Sequence, residues 1–178
     1  MGGSGSGNWY RWDKKTTVEA CRHIDAARWQ REGILRAEVH HPGAWGWTDA
    51  HTGEQTASLV YEVNTMDPSH AWVRLIYTFP QHGGPYDYTI LLTTTRPHFG
   101  GLRWWFVCPL VIQGRPCRRR VQKLYLPPGE VYYGCRHCYS LTYTSSQDSH
   151  RDDRFWKFLA RDTGWDWRTV RNVMDRKE

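Results

Sequence analysis

Between residues 35 and 108 apolar side chains recur at every second position, the period of a half-buried β-strand. The alternation is cleanest over residues 71–79. There Val73, Leu75, Tyr77 and Phe79 fall on one face, and Trp72, Arg74, Ile76 and Thr78 on the other. Trp45-Gly46-Trp47 and residues 58–63 flank turn residues at Thr52-Gly53 and predict a hairpin. Further strands are expected over residues 86–95, after Gly83-Gly84-Pro85, and over residues 102–108, after Phe99-Gly100-Gly101. Runs of this length separated by turn residues predict an antiparallel meander or small sandwich.

The period changes at both ends. Thr16-Thr17-Val18-Glu19 reads as a capping box opening a short helix through Arg22. Asp25 reads as the cap of a second helix, with Ile24 and Trp29 placed as a hydrophobic staple and Gly33 as its left-handed stop. Two short helices joined by a tight turn also outline a helix-turn-helix, whose second member would offer Arg28, Gln30 and Arg31 to a major groove. The plainer expectation is a helical pair closing one side of the sheet, with Cys21 a small buried hydrophobe. In the tail, Ser149-His150-Arg151-Asp152 resembles a capping box, and Phe155, Phe158 and Leu159 form an apolar stripe ended by Gly164. Asp166 is placed to cap a last helix carrying Val170, Val173 and Met174. The basic residues of this tail are balanced by Asp and Glu neighbours, the pattern of a solvated helix face.

Four cysteines organise what lies between. Cys108, Cys117, Cys135 and Cys138 have the spacing C-x8-C-x17-C-x2-C. Two residues between Cys135 and Cys138 let both thiolates curl onto one metal from a tight turn, while Cys108-Pro109 and Cys117 form a looser pair around Gly114 and Pro116. Residues 121–126 and 131–133, separated by Pro127-Pro128-Gly129, predict a hairpin between the pairs. The expectation is a zinc ribbon with one structural Zn²⁺ held by the four thiolates, which leave no coordination position open for chemistry. Two disulfides would suit a secreted chain, and a redox CxxC would open a helix in a βαβ setting; neither context is visible. His137, inside the knuckle, is expected at the surface.

The expected fold is therefore α+β. A leader and aromatic arm (1–12) precede the short N-terminal helical pair (13–34), the antiparallel β-sheet (35–107), the four-cysteine zinc ribbon (108–143) and the C-terminal helices (144–178).

Charge changes the picture because of where it lies. The formal net charge is +6. Arg103, Arg115, Arg118, Arg119, Arg120, Lys123 and Arg136 face a single acid, Glu130, between Arg103 and Cys138, so the surplus sits on the cysteine module. Concentrated positive charge framed by aromatic residues suits phosphate binding, since each neutralised phosphate releases condensed counterions. No apolar run approaches the roughly 18 residues of a membrane span, and no secretory signal opens the chain, so a cytoplasmic protein is expected. No HExxH, GxSxG, phosphate loop or clustered carboxylates are present, and the nine histidines scatter near turns; an enzyme is not the expectation. A metal-dependent nuclease, whose carboxylates can converge from distant positions, is the weaker alternative.

The start MGGSGSG-x-W-Y-R-W, the run Thr16-Thr17-Val18-Glu19 with Cys21, and Arg103-Trp104-Trp105-Phe106 leading to Cys108-Pro109 carry a resemblance, as do Lys123-Leu124-Tyr125-Leu126-Pro127-Pro128 and Tyr133-Gly134-Cys135-Arg136-His137-Cys138-Tyr139. Together they resemble a family of bacterial and bacteriophage zinc-ribbon proteins, over most of the chain up to about Gln147. The resemblance implies a zinc fold, a native glycine–serine leader and a phage or mobile-element setting; it implies no activity. In such relatives the tail is more uniformly basic than the mixed, Trp-rich tail here.

Two functions follow as expectations. The first is nucleic-acid binding, with Arg118, Arg119, Arg120, Lys123 and Arg136 on phosphates and Arg115, Tyr132 and Tyr139 near sugar or bases. The second, from the excess of Trp, Tyr and Arg, is an adaptor or inhibitor gripping a host protein.

Overall fold

The computed structural model describes residues 15–49, 52–79, 83–98, 100–148, 153–166 and 168–169. The leader and aromatic arm, the box at 149–152, and Val170, Val173 and Met174 lie outside these. The chain divides into two compact units, Ala20–Leu141 and a smaller one drawn from Met1–Glu19 and Thr142–Glu178.

The larger unit is built on an antiparallel meander. Strands β2 (His40–Thr48), β3 (Gln55–Asn64), β4 (Trp72–Thr78), β5 (Pro85–Thr95) and β6 (Arg103–Val107) pair in sequence order, and the two-residue β9 (Arg120–Val121) closes the far edge. The predicted hairpin is present: Trp45 pairs with Leu59 and Trp47 with Ala57. Pro42 is tolerated within β2 because that strand is an edge, where a missing amide costs no ladder bond. The alternation read at residues 71–79 is the observed one, with Val73 and Leu75 fully buried and Tyr77 nearly so.

Among the described residues of this unit, one face of the sheet is covered. Leu59, Tyr61, Val63, Val73, Leu75, Ile90, Leu92, Trp104 and Phe106 point into the core. Over them lies Trp29, with ring centroids 5.7 Å from Trp45, 5.2 Å from Tyr61 and 5.7 Å from Phe106. On the opposite face Val60 and Leu91 are 49% and 58% exposed. Apolar residues left in water there mark a surface that no element of this unit occupies.

The N-terminal helical pair is corrected. Val18–Ala20 is a single 3-10 turn, Arg22–Asp25 is a strand (β1), and only Ala26–Arg31 (α1) is helical. The expected first helix gives way because its residues have partners far along the chain. Arg22 to Asp25 pair antiparallel with Leu126 to Lys123 of β10 (Lys123–Leu126), and Glu19 does not close a box. Its carboxylate accepts from the backbone N–H and hydroxyl of Thr144, at 3.1 and 2.9 Å. The second cap stands as read: Asp25 accepts from the Ala27 N–H at 2.9 Å, Ile24 and Trp29 are fully buried, and Gly33 has φ +76°.

In the smaller unit, Thr17 bridges Thr142 in parallel and the Thr142 N–H donates to the Thr16 carbonyl at 3.1 Å. Helices α2 (Thr144–Asp148) and α3 (Asp153–Thr163) follow. Gly164, at φ +69°, takes the left-handed position just past α3, and Asp166 accepts from the Arg168 N–H. Phe158 of the expected apolar stripe is 66% exposed, while Ala160 is buried.

Candidate metal centre

Each pair of cysteines is presented by its own local device. Cys108 follows β6, and its N–H donates to the Arg119 carbonyl at 2.9 Å. The chain then makes a miniature hairpin, β7 (Val111–Ile112) against β8 (Arg115–Pro116), that returns Cys117 to the Leu110 carbonyl at 2.8 Å. Its two turn residues, Gln113 and Gly114, have φ +50° and +75°. Positive φ at both central positions matches the right-handed twist of the strands it joins, and glycine makes the second position cheap.

The other pair sits on a tight turn after Gly134. There the Cys138 N–H donates to the Cys135 sulfur at 3.4 Å, and the Cys135 N–H to the Cys108 sulfur at 3.3 Å. Gly134 is required by packing: a Cβ there would collide with Leu110 and Tyr139. The expected strand at 131–133 is absent. Only Gly134 bridges Tyr125, through bonds of 2.7 and 2.9 Å, because the segment before it is held by tyrosine side chains instead of a ladder.

The four Sγ atoms lie within 4.8 Å of one another. Cys108–Cys138 and Cys117–Cys135 are 3.8 Å apart, and Cys135–Cys138 3.5 Å. A tetrahedron with thiolates about 2.3 Å from its centre has an edge of roughly 3.8 Å, so the donor set fits a single metal ion. The same separations exclude disulfides, whose sulfurs sit about 2.05 Å apart, and none of the five cysteines is in one. His137 is exposed and outside the cluster.

The cluster's charge is uneven. Cys135 accepts hydrogen bonds from Cys108 and from the Cys138 amide, which together pull its thiol down to about 4. Burial pushes Cys138 up to about 12, and the bond to Cys135 together with burial pushes Cys108 higher. Hydrogen bonds that converge on Cys135 favour its thiolate, and a bound cation would favour the thiolate at all four positions.

The cluster is anchored to the sheet by three tyrosines. The Tyr133 N–H donates to the Tyr88 hydroxyl at 2.9 Å, Tyr88 meets the Tyr77 hydroxyl at 2.9 Å, and Tyr77 donates to the Val131 carbonyl at 2.6 Å. Burial holds Tyr88 up to about 12 and Tyr77 higher still, so both stay protonated and able to donate.

The expected basic residues have separate fates. Arg115, Arg118, Arg119 and Arg120 are exposed, and no carboxylate among the described residues pairs with them. Lys123 is half-buried and lies 3.6 Å from Asp25, the cap of α1, so its charge is largely compensated. Arg136, within the knuckle, is half-buried, and its carbonyl accepts from Leu141. Tyr132 is 46% exposed, and Tyr139 is half-buried, donating to the Tyr132 carbonyl at 2.6 Å.

The three residues expected on a groove-reading helix lie on the single short helix α1. Arg28 pairs with Glu32 at 2.8 Å and stacks over Trp45. Gln30 donates to the Leu102 carbonyl at 2.6 Å and accepts from the Trp104 N–H at 3.4 Å. Arg31 remains exposed. Gln30 is thus engaged at the start of β6, and a strand, not a helix, precedes α1.

Sequence reasoning missed Trp105. It lies on the uncovered face, its indole N–H bound to the Thr95 hydroxyl at 2.9 Å. The guanidinium carbons of Arg103 and Arg120 stand 4.2 and 5.4 Å from its ring centroid. Period-2 alternation does place Trp105 opposite Trp104 and Phe106, but the approach of Arg120 depends on β9 pairing with β6.

No protein-family model, curated protein or solved structure matches the chain. Among the described residues no helix is long and apolar enough to cross a membrane.

Proposed function

We propose that the chain is a nucleic-acid-binding protein whose four-cysteine module is held by one structural Zn²⁺ and contacts phosphates through the surrounding arginines. One observation carries the reading. Arg118, Arg119 and Arg120 stand exposed and uncompensated beside the cysteine cluster, and Arg120 shares the Trp105 platform with Arg103. A tryptophan flanked by guanidinium groups offers both a stacking partner and fixed positive charge, a combination suited to single strands. Zinc is the metal preferred by four thiolates at tetrahedral spacing, and its role is to hold the fold.

Fluorescence anisotropy against labelled duplex DNA, single-stranded DNA and RNA, titrated over salt, tests the proposal. The expected result is binding whose affinity falls linearly in log salt. The reading fails if nothing binds at low salt, or if converting Arg118, Arg119 and Arg120 to alanine leaves affinity and salt slope unchanged.

A second reading, a phage-type adaptor on a host protein, draws on the uncovered sheet face. Leu91 and Val60 are exposed there beside the half-buried Trp72 and Ile76. A stoichiometric host partner surviving nuclease treatment would favour it over the first. A nuclease is the weaker alternative, to be dropped if no turnover occurs with Mg²⁺ or Mn²⁺.

A further inference from the structure

On the covered side of the sheet, where β2, β3 and β4 end against β1 and β10, a cavity of about 390 Å³ opens to solvent. That volume falls in the range of ligand sites, roughly 300–1,000 Å³. Its walls are aromatic: Trp47 and Tyr133, ring planes 17° apart, with Tyr77 and Phe79 beside them. Arg22 is the one charged residue in the lining, and no carboxylate among the described residues forms an ion pair with it. Its guanidinium spends one donor on the Thr56 carbonyl, at a long 3.5 Å.

What the lining can offer a guest is narrow. The Trp47 indole N–H is taken by the His23 carbonyl at 3.2 Å, and the Tyr77 hydroxyl by Val131 and Tyr88. The half-buried Trp47 and Phe79 therefore present ring faces and edges more than donors, while Tyr77 and Tyr133, 6% and 2% exposed, offer a guest little surface. The Arg22 guanidinium, with most of its donors free of any ion pair among the described residues, suits an anion at the rim. From this we propose that the cavity binds a planar aromatic ring carrying an anionic group, the ring against the half-buried Trp47 and Phe79 and the anion on Arg22.

Two kinds of molecule have this chemistry, a nucleoside monophosphate and an aromatic carboxylate. The site is independent of the arginines around Trp105, which lie on the opposite face of the sheet, so it stands or falls apart from the nucleic-acid reading.

Isothermal titration of the full chain with AMP, UMP and indole-3-acetate tests it. One saturable site is expected for at least one of the two classes, and the tighter class identifies the guest. Arg22→Ala should weaken it about tenfold or more, the loss expected for a charge-assisted bond, with partial recovery in Arg22→Lys. Arg22 is exposed and pairs with Leu126 through its backbone, so these variants keep the fold. The variant lacking Arg118, Arg119 and Arg120 should bind the small ligand as wild type does. Absence of saturable binding by every probe, or binding indifferent to Arg22→Ala, overturns the proposal.

Discussion

The hydroxyl of Tyr77, on the fourth strand, donates to the carbonyl of Val131 at 2.6 Å and so ties the sheet to the loop that delivers Cys135. With Tyr88 and the Tyr133 amide it forms a chain of hydrogen bonds that leaves that loop and returns to it. Tyr77→Phe keeps the ring packing and removes the donor, leaving a partly buried carbonyl without it. A loss of about 1–3 kcal/mol in urea unfolding is expected, together with faster metal loss to a chelator. Unchanged unfolding would mean that the hydroxyl chain holds nothing.

Cys135→Ser removes the sulfur on which the cluster's charge and two of its short contacts converge. Bound zinc, measured by elemental analysis, should fall from one per chain to well below it, and the larger unit should lose stability, because ligand binding energy is folding energy. A fully loaded, equally stable variant would refute a four-thiolate site.

Gly134→Ala tests the packing behind that site. The added methyl must displace Leu110 or Tyr139, and overpacking of this kind costs about 1–3 kcal/mol. The change should lower the melting temperature in both the metal-loaded and chelated forms.

Lys123 and Arg118 separate charge that is compensated from charge that is not. Arg118→Ala should lower the slope of log affinity against log salt by about 0.7–0.9, one phosphate's worth. Lys123→Ala should leave the slope nearly unchanged, since Asp25 already faces its ammonium. Equal effects would erase the distinction drawn between them.

Burial, aided by the nearby Lys123 charge, holds His23 below its ordinary value of 6.5. The folded chain then takes up this proton less readily than the unfolded chain. Stability from this source is complete above about pH 6.5 and declines as pH falls towards the lowered folded value. Chemical denaturation of wild type and His23→Gln across pH 5–8 isolates it: the difference between them should shrink on acidification.

Much of this was legible before the structure. Alternation located Val73, Leu75 and Tyr77 in the core, and the cysteine spacing picked out a cluster that a miniature hairpin and a tight turn bring together. Asp25, Ile24 and Trp29 announced their cap and staple because those contacts are local. What escaped notice was non-local. Arg22–Asp25 reads as the end of one helix and the cap of the next until Lys123–Leu126 is placed beside it. The carboxylate of Glu19 finds its donors at Thr144, and the amide of Gln30 finds its partners on Leu102 and Trp104. Lys123 counts as free charge until Asp25 is seen opposite. In each case a distant partner overrode a sound local preference.

The pairing of the first strand with the tenth also bears on how the chain is made. During synthesis Arg22 emerges long before Leu126, its register partner. Until Lys123–Leu126 has emerged, Ile24 lacks the strand that pairs with its own. A nascent chain arrested before Lys123 should therefore expose apolar surface and recruit chaperones, and release from them should coincide with emergence of the tenth strand. Pairing of residues so far apart in sequence also adds to the contact order of the unit, and so slows its folding.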